Sequence, residues 1–389
     1  MAQVPGSGPV GGALDRAIDA VLADPLLAAA VVLVATALVL LGLLLIRRLF
    51  VTKGVALKRA LGKLDQVVVL MHPNPDPDAM AAAIGVARLA ELADTEPVIQ
   101  FPGQIRHQEN RAFRTVLDLD LEPIESAMEL GAEQVVLVDH NEPRGFDGAD
   151  RISPYAVIDH HPGEGTGSTF TDVRSEYGAS ASMVAEYFRE IGARPTRDEP
   201  EVGPLTTPVA TGLLYGILAD TAHLTRGCTR AEFDAAAFLY PAVDEDSLDR
   251  IANPQVDQEI LDVISRAIAD RQVNPPYAVA DVGDLSNLDA IPQAADQLLT
   301  LEGVTAVVVL GEKDGTLHLS GRSRDDRVHM GNVLQTVAES IPSGEAGGHA
   351  RMGGGQFPIE EMREGVGPEG GLTREELHER LFDALVGDV

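Results

Sequence analysis

Two periods run through most of the chain: short β-rich runs of apolar residues, and longer stretches in which apolar residues fall three or four apart. Residues 66–72 (QVVVLMH), 96–101 (EPVIQF), 133–140 (EQVVLVDH) and 155–161 (YAVIDHH) predict strands. Residues 78–93 (DAMAAAIGVARLAELA) predict a helix with Asp78 as its N-cap, and residues 107–118 another. Strand and helix alternating in this way imply an α/β fold built on a parallel, doubly wound sheet, in which ligands bind beyond the carboxyl ends of the strands. Residues 175–192 and 207–224 predict two further helices, the second carrying Asp220 near its C-terminal end. Residues 245–273 are charged and helical in pattern, interrupted at Asn253-Pro254, and read as a connector. Beyond them a second, smaller α/β domain is expected, with a hairpin around Lys313-Asp314-Gly315 and a final helix over 373–386.

Residues 26–46 (LLAAAVVLVATALVLLGLLLI) follow neither period. They are uncharged throughout, and as a helix they would reach about 30 Å, the hydrocarbon thickness of a bilayer. This predicts a single transmembrane helix. Arg47, Arg48, Lys53, Lys58, Arg59 and Lys63 follow it, so the positive-inside rule places the remainder in the cytoplasm, tethered to the cell membrane. The expected organisation is a tail (1–25), a transmembrane helix (26–46), a juxtamembrane segment (47–63), a catalytic domain (64–240), a helical connector (241–275) and a substrate-binding domain (276–389).

The formal charge of −30, from 60 acidic and 30 basic residues, argues against binding long duplex nucleic acid, because phosphate contacts need Lys and Arg. A nucleotide substrate must then be held locally. With only four lysines, so acidic a surface fits a halophilic protein kept soluble at high salt. The single cysteine, Cys228, excludes an internal disulfide.

Candidate chemistry lies at the ends of the buried elements: His72, Asp76 and Asp78 in HPNPDPDA, Asp139 in VVLVDH, His160 in VIDHH and Asp220 in YGILADT. Aspartates brought to one mouth repel at low dielectric, and two divalent cations supply the compensating charge. Mixed His/Asp ligation suits Mn²⁺ or a similar first-row ion better than Ca²⁺, without excluding Zn²⁺, Fe²⁺ or Co²⁺. Prolines 73, 75 and 77 stiffen the first motif. A Pro/Asp turn with an Asx cap would explain Asp78 alone but not His72 with Asp76. Adjacent on a strand, His160 and His161 would point to opposite sides, so only one of them serves a given metal. In the second domain, GGHARMGGG (347–355) would let backbone N–H groups approach a phosphate, with His349 and Arg322 adding cationic contacts.

HPNPDPDA, VDH, DHH and LADT, in this order, resemble the motifs of the DHH phosphoesterases, a group that includes RecJ-type exonucleases, nanoRNases with pAp-phosphatase activity, cyclic-di-AMP phosphodiesterases and family II pyrophosphatases. The glycine-rich stretch, preceded by SGRS (320–323), is similar to the signature of their DHHA1-type substrate-binding domain, from which Ala346 and Met352 depart. The resemblance implies one metal on His72, Asp76 and Asp139 and a second on Asp78, Asp139, His160 and Asp220. Asp139 would bridge two Mn²⁺ ions, or other divalent metals. It further implies His161 as a catalytic phosphate contact, and Arg322, Ser323, Gly347, Gly348 and His349 as substrate-binding residues. Ser180 and Ser182 match a helix start that resembles the segment supporting the ligands. The implied activity is metal-dependent hydrolysis of phosphodiester bonds in a small nucleotide, a cyclic dinucleotide or a short oligonucleotide. A pAp phosphatase or oligoribonuclease, and a catalytically silent membrane-tethered nucleotide sensor, are the alternatives; a homodimer is left open.

Overall fold

A computed structural model describes residues 23–49, 51–105, 107–197, 203–339, 341, 343–363 and 372–387. They divide into two compact units. The first runs to Asp249, and the second from Arg250 onward, taking in Arg106–Ala112 as well.

Helix α1 (Pro25–Leu49) covers the segment expected to span a membrane. That expectation is corrected: among the described residues no helix is long and apolar enough to cross a membrane. With the span goes the membrane tether and the placement of the remainder in the cytoplasm. The basic segment after it is helical and packs on the first unit. Helix α2 (Lys53–Leu61) buries Leu57 and Leu61 completely. Lys53 donates to the Thr171 carbonyl at 2.8 Å and pairs with Asp172 at 3.3 Å.

The chain continues with β1 (Gln66–Leu70), α3 (Pro77–Glu91), β2 (Glu96–Pro102), α4 (Gln108–Val116, divided between the units), β3 (Glu122–Ile124), β4 (Val135–Val138), β5 (Ala156–Asp159), β6 (Phe170–Val173), α5 (Ser180–Glu190), α6 (Thr207–Asp220), α7 (Arg230–Leu239) and α8 (Glu245–Ala252, which runs across the unit boundary); the strands of the first unit form one sheet. Its six strands are all parallel, in the order β3-β2-β1-β4-β5-β6. Strands β1, β4 and β5 read as almost unbroken apolar runs because they are covered on both faces. The strand order reverses between β1 and β4, and such a switch point opens a crevice at the carboxyl ends of the two strands.

Helix α3 is buried along nearly its whole length, consistent with a sequence apolar all round. It packs against α5 and α6, and the contact with α6 is close: a Cβ added at Gly216 would lie 2.7 Å from the Ala81 Cβ and 3.2 Å from the Asp78 Cα. The cap of α3 is Asp76, whose Oδ1 accepts from the Ala79 N–H at 3.0 Å, and not Asp78 as the sequence suggested. Pro77 opens the helix, moving the boundary one residue upstream and freeing the Asp78 carboxylate for other partners.

The second unit contains α9 (Gln258–Asp270), β7 (Gln272–Asn274), β8 (Tyr277–Asp284), α10 (Ala290–Leu298), β9 (Ala306–Lys313), β10 (Thr316–Ser323), α11 (Met330–Ala338), β11 (Glu345–Gly348), β12 (Met352–Pro358), α12 (Ile359–Arg363) and α13 (Arg374–Val386). Its sheet has the order β11-β12-β10-β9-β8-β7, parallel only between β8 and β9. Alternation along β9 sends Val307 and Val309 into a core with α9 and α10, and Ala306, Val308 and Leu310 into one with α11 and α13. The expected hairpin turn is present, with Asp314 and Gly315 at φ 51° and 75° joining β9 to β10. The glycine-rich stretch differs from the expected phosphate-cradling loop. Glycines 347 and 348 pair with Gly354 and Gly353 across an antiparallel hairpin, β11 to β12, whose turn is closed by the His349 N–H on the Met352 carbonyl at 2.7 Å.

A candidate metal centre at the sheet switch point

Four chain segments of the first unit bring the six predicted donors together. His72 and Asp76 lie in the loop after β1, Asp78 on the first turn of α3, Asp139 directly after β4, His160 directly after β5, and Asp220 at the last residue of α6. Their ligand atoms form overlapping groups: His72, Asp76 and Asp139; Asp78, His160 and Asp220; and Asp139, His160 and His161. His72 Nε2 is 3.4 Å from Asp139 Oδ2 and 3.6 Å from Asp76 Oδ2. His160 Nε2 is 3.4 Å from both Asp139 Oδ1 and Asp220 Oδ2, and 3.8 Å from Asp78 Oδ2. The two oxygens of Asp139 thus face different imidazoles.

Each imidazole is oriented by a backbone carbonyl. His72 Nδ1 lies 3.0 Å from the Pro73 oxygen and His160 Nδ1 lies 3.1 Å from the Tyr177 oxygen. A carbonyl only accepts, so Nδ1 carries a proton and Nε2 is the nitrogen turned to the carboxylates, the orientation a metal-binding histidine needs. His160 Nε2 is buried and has no hydrogen-bond partner. The spacing of 3.4–3.8 Å around it is too long for hydrogen bonds, yet it is close to the ~3–3.5 Å separating neighbouring ligand atoms on an ion with bonds of about 2.1 Å. The donor set therefore fits divalent cations.

The segment from Tyr177 to Ala181 supports the carboxylates. Asp78 is 1 % exposed, and its two oxygens accept from the Ser180 N–H at 2.7 Å and the Ala181 N–H at 2.8 Å, at the N-terminus of α5. The Ser180 hydroxyl donates to Asp139 Oδ1 at 2.9 Å. Asp139 itself holds φ at 61°, a left-handed conformation that an L-residue adopts at some cost and that aims its carboxylate across the crevice.

Crowding shows in the ionisation of the cluster. Burial, reinforced by Asp139, Asp220 and Asp76, raises the Asp78 carboxyl well above its usual range. Burial, with Asp139 and Asp76 adding to it against the opposing pull of His160, lifts Asp220 to about 6. Burial works against charge on His72, but hydrogen bonds to Asp139 and Asp76 overcome it and push the imidazole up to about 10.

His160 and His161 do not point to opposite sides. Their rings lie next to each other, centroids 4.3 Å apart, because β5 ends at Asp159 and strand alternation no longer applies. The His161 side chain is 54 % exposed and its Nδ1 lies 2.9 Å from Asp159 Oδ1. Asp159 has no role in the sequence reading. It is completely buried, and it also accepts from the His161 N–H at 3.0 Å and the Asn141 side-chain amide at 2.6 Å. A buried carboxylate directly before two histidines was the available signal. Nothing in the sequence could point to the Tyr177 carbonyl.

The residues predicted to bind substrate lie in the second unit. Arg322 pairs with Asp296 at 2.7 Å and donates to the Ser320 hydroxyl at 3.1 Å. Ser323 is buried, and its hydroxyl is engaged with the backbone of Asp325 in a local turn. Gly348 and His349 are exposed, and a Cβ added at Gly347 would meet open space.

A doubly wound parallel sheet whose switch point carries linked His/Asp donor groups defines an α/β protein built to hold divalent metals. The family follows from the sequence: residues 66–217 match the DHH family, N-terminal domain, and residues 274–366 match the DHHA1 domain. The chain belongs to the DHH family and carries a DHHA1 domain. It is 32 % identical over 75 % of its length to the uncharacterized protein MJ1633 of Methanocaldococcus jannaschii, covering 58 % of that protein. It is 28 % identical over 74 % of its length to the cyclic-di-AMP phosphodiesterase GdpP of Geobacillus thermodenitrificans, covering 44 %. The chain thus spans about half the length of these curated relatives. Among solved structures it is similar to an exopolyphosphatase-related protein from Bacteroides fragilis, with a TM-score of 0.63, 17 % identity, and coverage of 85 % of this chain and 94 % of that one, a likeness of fold.

Proposed function

We propose that the protein is a divalent-metal-dependent hydrolase of phosphoric esters, acting on the phosphodiester bonds of a small nucleotide, a cyclic dinucleotide or a short oligonucleotide. The observation that carries this reading is the convergence of His72, Asp76, Asp78, Asp139, His160 and Asp220, with the His160 Nε2 buried and unpartnered among three carboxylates. On this reading His72, Asp76 and Asp139 hold one cation, and Asp78, Asp139, His160 and Asp220 a second. Mixed imidazole and carboxylate ligation suits Mn²⁺. Two such ions supply Lewis-acid activation of the attacking water and offset charge on the departing oxygen. The chain's own residues hold those donors in place through Ser180, the N-terminus of α5 and the two carbonyls. His161, half exposed and steadied by Asp159, donates a hydrogen bond to a phosphate oxygen. In the second unit Arg322, the backbone of Gly347 and Gly348, and His349 supply nucleotide contacts, whereas the Ser323 hydroxyl serves its own turn.

The test is hydrolysis by the full chain of cyclic-di-AMP, linear pApA, a short RNA and pAp, after EDTA treatment and after Mn²⁺ is restored. Turnover that chelation abolishes and Mn²⁺ restores is the expected result, and the preferred member of the panel names the substrate. Turnover indifferent to chelation overturns the metal reading, and binding without turnover leaves a nucleotide sensor.

A further inference from the structure

We infer that Glu232, on α7 and outside the donor motifs, is a positioning residue for the Asp78, His160 and Asp220 group; this rests on the metal-centre reading above. Glu232 is completely buried. Its Oε1 accepts from the Gly178 N–H at 2.9 Å, and its Oε2 from the Thr229 N–H at 2.6 Å and the Thr229 hydroxyl at 2.9 Å. The second oxygen completes an ordinary capping box at the start of α7. The first leaves its own helix and grips the segment from which the metal centre is supported.

Gly178 stands between two of those supports. On one side the Tyr177 carbonyl takes the His160 Nδ1 proton; on the other the Ser180 and Ala181 N–H groups hold both oxygens of Asp78. Gly178 is packed as closely as it can be, since a Cβ there would lie 2.5 Å from the Gly227 carbonyl oxygen and 3.0 Å from the Thr221 Cγ2. Thr221 directly follows Asp220, the third donor of the group. One carboxylate therefore fixes the loop that sets His160 and Asp78, against the turn that carries Asp220. The His72 and Asp76 side chains hang instead from β1 and the cap of α3, and meet the 177–181 segment through the shared Asp139, which Ser180 holds.

The informative variant is Glu232→Gln. It keeps shape and volume, but an amide offers one acceptor oxygen where N–H donors press from both sides, so either Gly178 or Thr229 loses its bond. Thr229→Ala is the comparison: it weakens the cap of α7 and leaves the Glu232 to Gly178 contact in place. Mn²⁺ binding is titrated by EPR of the free ion alongside thermal melting without metal. The wild-type chain binds two Mn²⁺, Thr229→Ala binds two with a lowered melting temperature, and Glu232→Gln keeps one site and weakens the other about tenfold, the size of effect seen when a ligand's outer partner is removed. Gly178→Ala, which strains the same contact from the opposite side, reproduces the loss at one site should Glu232→Gln fail to fold. Glu232→Gln and Gly178→Ala both binding two Mn²⁺ like the wild type reduces Glu232 to a helix cap and overturns the inference, leaving the metal centre standing. A wild-type chain that binds no Mn²⁺ overturns both.

Discussion

Asp139→Asn is the sharpest test of whether the two donor groups share a ligand. Asp139 Oδ2 lies 3.4 Å from His72 Nε2 and Oδ1 lies 3.4 Å from His160 Nε2, so its carboxylate belongs to both groups. Asparagine keeps the shape and can still accept from the Ser180 hydroxyl, at a loss of about 1 kcal/mol as a charge-assisted bond becomes a neutral one. The larger effect is the missing charge. A unit charge about 4 Å from another is worth about 4 kcal/mol at an effective dielectric of 20, on the order of a thousandfold in Kd, and here it is lost by both sites at once. A His72→Ala chain, by contrast, loses a neutral ligand from one site only. Mn²⁺ stoichiometry by calorimetry, with melting curves to establish folding, should therefore read two ions for the wild type, one for His72→Ala and none at micromolar metal for Asp139→Asn. One site of wild-type affinity surviving in folded Asp139→Asn would falsify the shared-ligand reasoning.

Two further outcomes rest on packing and charge. Gly216→Ala should destabilise by about 1–2 kcal/mol in urea titrations although alanine is the better helix former by about 1 kcal/mol, because the new methyl meets Ala81 at 2.7 Å; a stabilised variant would show that α3 and α6 can separate freely. Asp172, 4 % exposed at its side chain, is bonded by Arg174 at 2.6 and 2.9 Å and by Tyr187 at 2.6 Å; although burial opposes its charge, these partners depress its carboxyl below the usual range. A depressed carboxyl contributes stability that is present above the unfolded-state value of about 3.9 and lost as pH falls through the folded value. Asp172→Asn should thus cost about 3 kcal/mol at pH 7, where Arg174 loses a partner, and the gap to wild type should close only below about pH 4; a gap independent of pH would discard the assignment.

The strands β1, β2, β4 and β5, the helices next to them in the chain and the convergence of the six candidate residues are legible because each is local. An apolar run fixes the strand, a Pro/Asp loop marks the start of the next helix, and a parallel sheet delivers every strand end to one edge. The features that were not legible depend on contacts distant in the chain. β3 has only three residues, and β6 mixes polar with apolar positions (FTDV) where the equally short β4 and β5 are continuous apolar runs. Asp76 and Asp78 were exchanged as caps because the identity of the first helical residue depends on where Asp78 finds partners, and those partners are Ser180 and Ala181. The glycine run was read as a loop because paired strands of glycine have no side-chain alternation to betray them. Apolar composition alone suggested a membrane span over 26–46, and composition does not establish one.

Asp78 opens α3 and Asp220 closes α6, and these helices lie antiparallel, with Gly212 against Ile84 and Gly216 against Ala81. Sliding one along the other would carry Asp78 past Asp220, so on the proposed reading the glycine contacts behind the crevice hold two donors in register from inside the core.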